Sequence, residues 1–179
     1  MAQGSGYGPR VVAVMGVTGT GKTTIGVLLA ARLGVPYAEG DDFHAPAAVA
    51  KMSSGVPLTD ADREPWLDRI GAWARGRAGL GGVISGSALH RAYRDRVRAA
   101  APGIVFAHLT GDRGLIEERL ARRQGHFMRR ELLDSQLAEL QPLEPDEAGV
   151  TVDVSGTPEE ITDRVVDALR DLDRSAATR

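Results

Sequence analysis

Val11-Val12-Ala13-Val14-Met15-Gly16-Val17-Thr18-Gly19-Thr20-Gly21-Lys22-Thr23-Thr24-Ile25 decides how this chain folds. The first five residues are apolar and mostly β-branched with no alternation, the pattern of a strand buried in a parallel sheet. From Lys22 onward, Ile25, Leu28, Leu29 and Leu33 recur at helical spacing until Gly34, which reads as a C-terminal cap. Between strand and helix, Gly16 to Thr23 satisfies G-x-x-x-x-G-K-[ST]. Glycines let the backbone wrap so that successive N–H groups face inward, and the helix adds its positive end. The segment reads as a phosphate cradle. Gly16, Val17, Thr18, Gly19, Thr20, Gly21, Lys22, Thr23 and Thr24 then hold a nucleotide, with Lys22 across its β- and γ-phosphates and the Thr23 hydroxyl on Mg²⁺.

Working outward, short apolar runs at 36–38, 83–85, 104–109 and 150–154 read as further strands, and helical patterns cover 60–78, 88–100, 112–123 and 130–140. Thr157-Pro158-Glu159-Glu160 is a capping box with proline at the first helical position. It opens a last helix with Ile161, Val165, Ala168, Leu169 and Leu172 on one face. Strands alternating with helices predict an α/β domain, a doubly wound five-stranded parallel sheet flanked by helices. The 179 residues suit one such domain, expected over 10–172 between a loose start (1–9) and a frayed tail (173–179).

Composition removes several function classes. A net charge of −2 disfavours nucleic acid or an anionic membrane as a partner, and no stretch approaches the ~18 apolar residues of a membrane span. The chain has no cysteine, hence no disulfide, thiolate metal site or cysteine nucleophile, and a cytoplasmic setting is expected. It also has no asparagine, so the Asn-Lys-x-Asp guanine-reading signature of GTPases is missing. Only Lys22 and Lys51 of the 22 basic residues are lysines, which singles both out.

The strand at Val83-Ile84 ends in Ser85 rather than the Mg²⁺-organising aspartate usual in ATPase motors. A small-molecule kinase instead needs a carboxylate beside the γ-phosphate and cations that close over it. Glu39-Gly40-Asp41-Asp42-Phe43-His44 supplies the carboxylates at a strand's carboxyl edge, where doubly wound folds bind ligands. One such group can take the proton of an attacking hydroxyl or hold Mg²⁺ through water. Arg119 and Arg123 stand four apart on one helical face, so both guanidinium groups can reach one phosphate chain. They are read as catalytic cations of a helical lid over about 119–137, with Gly125 as a hinge.

Gly40-Asp41-Asp42-Phe43-His44, Lys51-Met52, Asp62-Arg63-x-Pro65-Trp66-Leu67, Ser87-Ala88-Leu89, Tyr93-Arg94-Asp95, His126-Phe127-Met128 and Leu132-Leu133-x-Ser135-Gln136 together resemble the gluconate kinases, in order and spacing from about residue 11 to 170. The resemblance implies a P-loop NTPase fold of the nucleoside- or shikimate-kinase type. It also implies transfer of the γ-phosphoryl of ATP to the 6-hydroxyl of D-gluconate, and a homodimer. Asp41 is then the residue that deprotonates the hydroxyl, with Glu39 near the metal through water and His44, Lys51, Arg63, Arg94 and His126 in the acceptor pocket. Local alternatives stand beside these roles: Lys51 as a surface cation, Arg63 as a partner of Asp60 or Asp62, Arg94 as a partner of Asp95. Ala48, Gly86, His90 and Arg129 depart from the family pattern, which has asparagine at the first, lysine at the third and proline at the fourth. Another acceptor, such as shikimate or a different sugar acid, and a non-catalytic nucleotide-binding regulator are the competing expectations.

Overall fold

The structure of the protein is a computed structural model that describes residues 9–122 and 126–178, without the side chains of residues 126–129. Five strands, β1 (Val11–Met15), β2 (Tyr37–Glu39), β3 (Gly82–Ser85), β4 (Val105–Thr110) and β5 (Gly149–Asp153), form one sheet in the order β2-β3-β1-β4-β5. Every pairing is parallel. The helices are α1 (Lys22–Leu33), α2 (Pro46–Ser53), α3 (Asp60–Gly76), α4 (Arg91–Ala100), α5 (Arg113–Ala121), α6 (His126–Glu139) and α7 (Pro158–Ala177).

Alternate residues of the central strands serve opposite faces, because side chains along a strand point to either side in turn. Val12, Val14, Val105, Ala107 and Leu109 pack on one face against Ile25 and Leu29 of α1 and Ile161, Val165 and Leu169 of α7. Val11, Ala13, Met15 and Phe106 pack on the other against Trp66, Leu67 and Ile70 of α3 and Val97 of α4. A third cluster joins Val17 of the P-loop and Leu89 to Ile116 and Leu120 of α5 and Leu133 of α6. The order of strands reverses at β1, with β3 on one side and β4 on the other, so the crevice opens above the carboxyl end of β1.

α7 continues past residue 172 to Ala177, and Asp173 forms an ion pair with Arg10. Residues 46–53, to which the sequence pattern assigned no element, form α2 behind Pro46 at its first turn. Among the described residues no helix is long and apolar enough to cross a membrane.

Candidate active site

β1 delivers its chain to the loop Gly16 to Gly21, and α1 starts at Lys22. Gly21 caps that helix with φ 93°, a left-handed conformation open to glycine at little cost. No side chain caps the first turn and no acidic residue lies in it. The N–H groups that helices leave unpaired at this end therefore face the crevice, which suits a phosphate chain. Inside the loop the buried Thr20 hydroxyl donates to the Val17 carbonyl at 2.8 Å, and Lys22 Nζ donates to the same carbonyl at 3.1 Å. Gln136 of α6 accepts the Thr18 N–H at 2.6 Å. That residue lies in a motif the sequence singles out without giving it a role.

β2 ends in Glu39 beside the cradle. Thr23 Oγ1 donates to its Oε2 at 2.7 Å, Tyr37 Oη to the same oxygen at 2.8 Å, and Ser85 Oγ to Oε1 at 2.8 Å. Burial alone would raise the Glu39 carboxyl, but the bonds from Thr23, Ser85 and Tyr37 outweigh it and hold it below its usual range. The Tyr37 phenol is pushed up to about 12, chiefly by burial, so it stays a proton donor. A hydroxyl and a carboxylate in contact are hard oxygen donors of the kind Mg²⁺ takes when phosphates and waters complete its shell. Among the described residues no cluster of three or more acidic or histidine side chains that could hold a metal ion is present.

The chain then turns through a short 3₁₀ helix, Gly40–Phe43, that carries Asp41. Asp41 is exposed, yet the protein packed around its carboxyl raises it above the usual carboxylate range, the charge of Glu39 adds to the rise, and His44 and Lys22 pull against it. A carboxylate with raised basicity in the turn after Glu39 is what proton removal from an acceptor alcohol requires.

The far wall is aromatic. His44 stacks on Trp66 at 4.6 Å between centroids, and Trp66 Nε1 donates to the Gly40 carbonyl at 2.7 Å, fixing the turn that carries Asp41. His44 Nδ1 is buried without a partner among the described residues, and burial with the charges of Arg63 and Arg69 lowers the ring's basicity against the opposing pull of Asp41. Arg63 donates to the Tyr93 hydroxyl at 2.8 Å, and Tyr93 donates to Asp60 at 2.5 Å. Sequence reasoning left Tyr93 without a role, although it lies in the same quoted block as Arg94.

Comparison with known proteins now decides the family. The chain is 46% identical over 163 residues to a gluconokinase of Gluconobacter oxydans, covering 90% of this chain and 92% of that one. It belongs to the gluconokinase family. The thermosensitive gluconokinase of Escherichia coli is 38% identical over 159 residues, covering 87% of this chain and 85% of its own. The crystal structure of a gluconokinase from Sinorhizobium meliloti superposes with a TM-score of 0.87 at 40% identity, covering 96% of this chain and 98% of that one. A scan against protein-family models matched none.

Among the residues expected to serve a gluconokinase, Thr23 touches Glu39 next to Lys22 at the start of α1, Asp41 and His44 follow Glu39 in one turn, and others are committed elsewhere. Arg94, expected in the acceptor pocket, has no exposed side-chain surface and pairs with Glu147 through two bonds of 2.7 Å. Its Nη1 also donates to the carbonyls of Ala88 and Leu89, so the Ser87-Ala88-Leu89 and Tyr93-Arg94 blocks of the family motif hold one another. Asp95, its expected local partner, pairs instead with Arg91 and Arg98. Lys51 is likewise committed, with Nζ 2.7 and 2.8 Å from the two oxygens of Asp62 in the capping box of α3. Arg119 points away from the cradle and donates to the carbonyls of Val154 and Gly156 at 2.5 and 3.3 Å. Arg123 and the side chain of His126 lie outside the described residues. Of the departures from the family pattern, Ala48 is buried within α2, and His90 stacks on Tyr93 at 4.6 Å with Glu139 at 3.7 Å.

Proposed function

We propose that this member of the gluconokinase family transfers the γ-phosphoryl group of ATP, taken as its Mg²⁺ complex, to the 6-hydroxyl of D-gluconate. The products are ADP and 6-phospho-D-gluconate. The observation that carries the reading is the 2.7 Å contact between Thr23 and Glu39, which joins the start of the P-loop helix to the strand end from which the Asp41 turn follows. Backbone N–H groups from Gly16 to Thr24 hold the phosphates, and Lys22 follows the charge that moves to the leaving group. Thr23, and Glu39 through water, would hold the metal, and Mg²⁺ would supply charge neutralisation on the β- and γ-phosphates. Asp41 accepts the proton of the 6-hydroxyl as its oxygen bonds to phosphorus and the bond from phosphorus to the β-γ bridging oxygen breaks.

His44 and Arg63 line the acceptor side, where the unpartnered His44 Nδ1 suits a sugar hydroxyl and a guanidinium suits a carboxylate. His126 belongs to the same acceptor set. Residues 119–137 form the lid of this proposal, with Arg119 leaving the Val154 and Gly156 carbonyls as it closes and Arg123 joining it. The proposal extends to a cytoplasmic homodimer with no nucleic-acid or membrane partner.

The test is one assay of purified protein with ATP, Mg²⁺ and D-gluconate, following 6-phosphogluconate through its dehydrogenase. Gluconate-dependent product is expected. ADP release with shikimate or another sugar acid but not gluconate moves the acceptor, and ATP binding without turnover of any acceptor makes the chain a nucleotide-binding regulator.

A further inference from the structure

Ser85 ends β3 at the place where a nucleotide-binding strand commonly presents a metal-organising aspartate. The carboxylate comes instead from the neighbouring strand, because Glu39 of β2 pairs with Ser85 in the parallel ladder. Backbone contact holds that register tightly: a Cβ on Gly40 would lie 2.0 Å from the Ser85 carbonyl oxygen, so only glycine permits the approach. Tyr37 completes the arrangement. Its ring lies against Gly26 of α1, about one turn after Thr23, and its hydroxyl contacts both Glu39 Oε2 at 2.8 Å and Ser85 Oγ at 2.6 Å.

Three hydroxyl groups, from Thr23, Tyr37 and Ser85, surround one carboxylate. An ionised carboxylate offers about four acceptor sites, so Thr23 and either Tyr37 or Ser85 can donate to Glu39 while the other proton of that pair lies in their 2.6 Å contact, with acceptor capacity left over for a water. Thr23 is the group that would turn to the metal. Tyr37 and Ser85 then remain as a hydroxyl pair, bonded to each other at 2.6 Å and in reach of one carboxylate oxygen each, and the pair fixes the orientation of Glu39 about its terminal bond.

We propose that Tyr37 and Ser85 are positioning residues for the metal, fixing the orientation of the Glu39 carboxylate toward Thr23 in place of a strand-end aspartate. The inference rests on the reading that Thr23 and Glu39 hold Mg²⁺. Partners that orient a metal's ligands typically matter about ten- to a hundredfold in metal affinity.

Tyr37→Phe, Ser85→Ala and the double variant test it by calorimetric titration with ATP, first in EDTA and then across a Mg²⁺ series, with no sugar acid present. The expected result is metal-free ATP affinity like that of the parent, with the Mg²⁺ concentration that tightens ATP binding raised about tenfold in each single variant. Ser85→Thr keeps the hydroxyl and restores the parent's Mg²⁺ response. An unchanged Mg²⁺ response in both single variants and the double variant overturns the inference, as does an equal loss of metal-free binding. A parent protein whose ATP affinity ignores Mg²⁺ overturns the metal reading itself, a failure visible before any variant is made.

Discussion

Arg94 of α4 and Glu147, just ahead of β5, share two charge-assisted hydrogen bonds of 2.7 Å with no exposed side-chain surface on either partner. Arg98 adds a third bond to Glu147 at 2.6 Å, and Arg94 spends its other donors on the carbonyls of Ala88, Leu89 and Pro142. The pair therefore ties the loop after β3, where Ala88 adopts φ 43°, to the chain that returns from α6 to β5.

Breaking that pair leaves the buried Glu147 with Arg98 as its remaining cation, so Arg94→Met is expected to cost at most about 3–5 kcal/mol in urea unfolding. Arg94→Met with Glu147→Leu removes both charges and recovers most of the loss. Full stability in Arg94→Met, accompanied by weaker gluconate binding, returns Arg94 to the acceptor pocket.

The contrast between these residues and the cradle shows what a sequence carries. Gly16 to Thr23 is legible because its chemistry is local: spacing, strand and helix all lie within one short stretch. A cation is different. Lys51, Arg63 and Arg94 all sit in the quoted motifs, yet Lys51 turns to Asp62, Arg63 to Tyr93 and Arg94 to Glu147. Glu147 stands 53 positions from Arg94, and no periodicity connects them. Gln136 and Thr18 are 118 positions apart and meet only because Leu133 and Val17 share a core. α2 escaped notice because its only buried residue is Ala48, so no apolar stripe marks it.

Asp41→Asn keeps the shape of the acceptor side and removes its base. Phosphoryl transfer to gluconate is expected to fall by at least about 10²–10⁴-fold, with ATP binding by calorimetry nearly unchanged. The acid limb of kcat/KM in the parent lies above the ordinary carboxylate range, since Asp41 must lose its proton and its carboxyl is raised. Retained turnover in the variant removes Asp41 from the base role.

Gln136→Leu deletes the one side-chain acceptor on the Thr18 N–H among the described bonds and leaves α6 joined to the P-loop by the Leu133–Val17 core. A hydrogen bond of this kind is worth about 0.5–1.5 kcal/mol net, so KM for ATP is expected to rise about two- to tenfold. Initial-rate kinetics with ATP varied at saturating gluconate measure it. An unchanged KM with a lowered kcat would instead place the bond's effect in lid closure.

His108 on β4 gives the fold a pH dependence of its own. The residue sits opposite Met15 of β1 and Thr151 of β5, is 3% exposed, and has no hydrogen-bond partner on either ring nitrogen among the described residues. Burial, then the charge of Arg94, lowers it from an ordinary 6.5 to about 4. The unfolded chain therefore binds a proton below pH 6.5 that the folded chain refuses until about pH 4. Stability is unaffected by this group above pH 6.5 and falls as pH drops through that window, by at most about 3 kcal/mol. Glu147, held near 2 against an ordinary 4.5, loses its contribution only at lower pH, so the upper part of the window belongs to the histidine. His108→Phe fills the same space without a titrating group. Urea midpoints at pH 7.5, 6 and 5 should decline in the parent and decline less in the variant, and parallel declines would show that His108 does not set the slope.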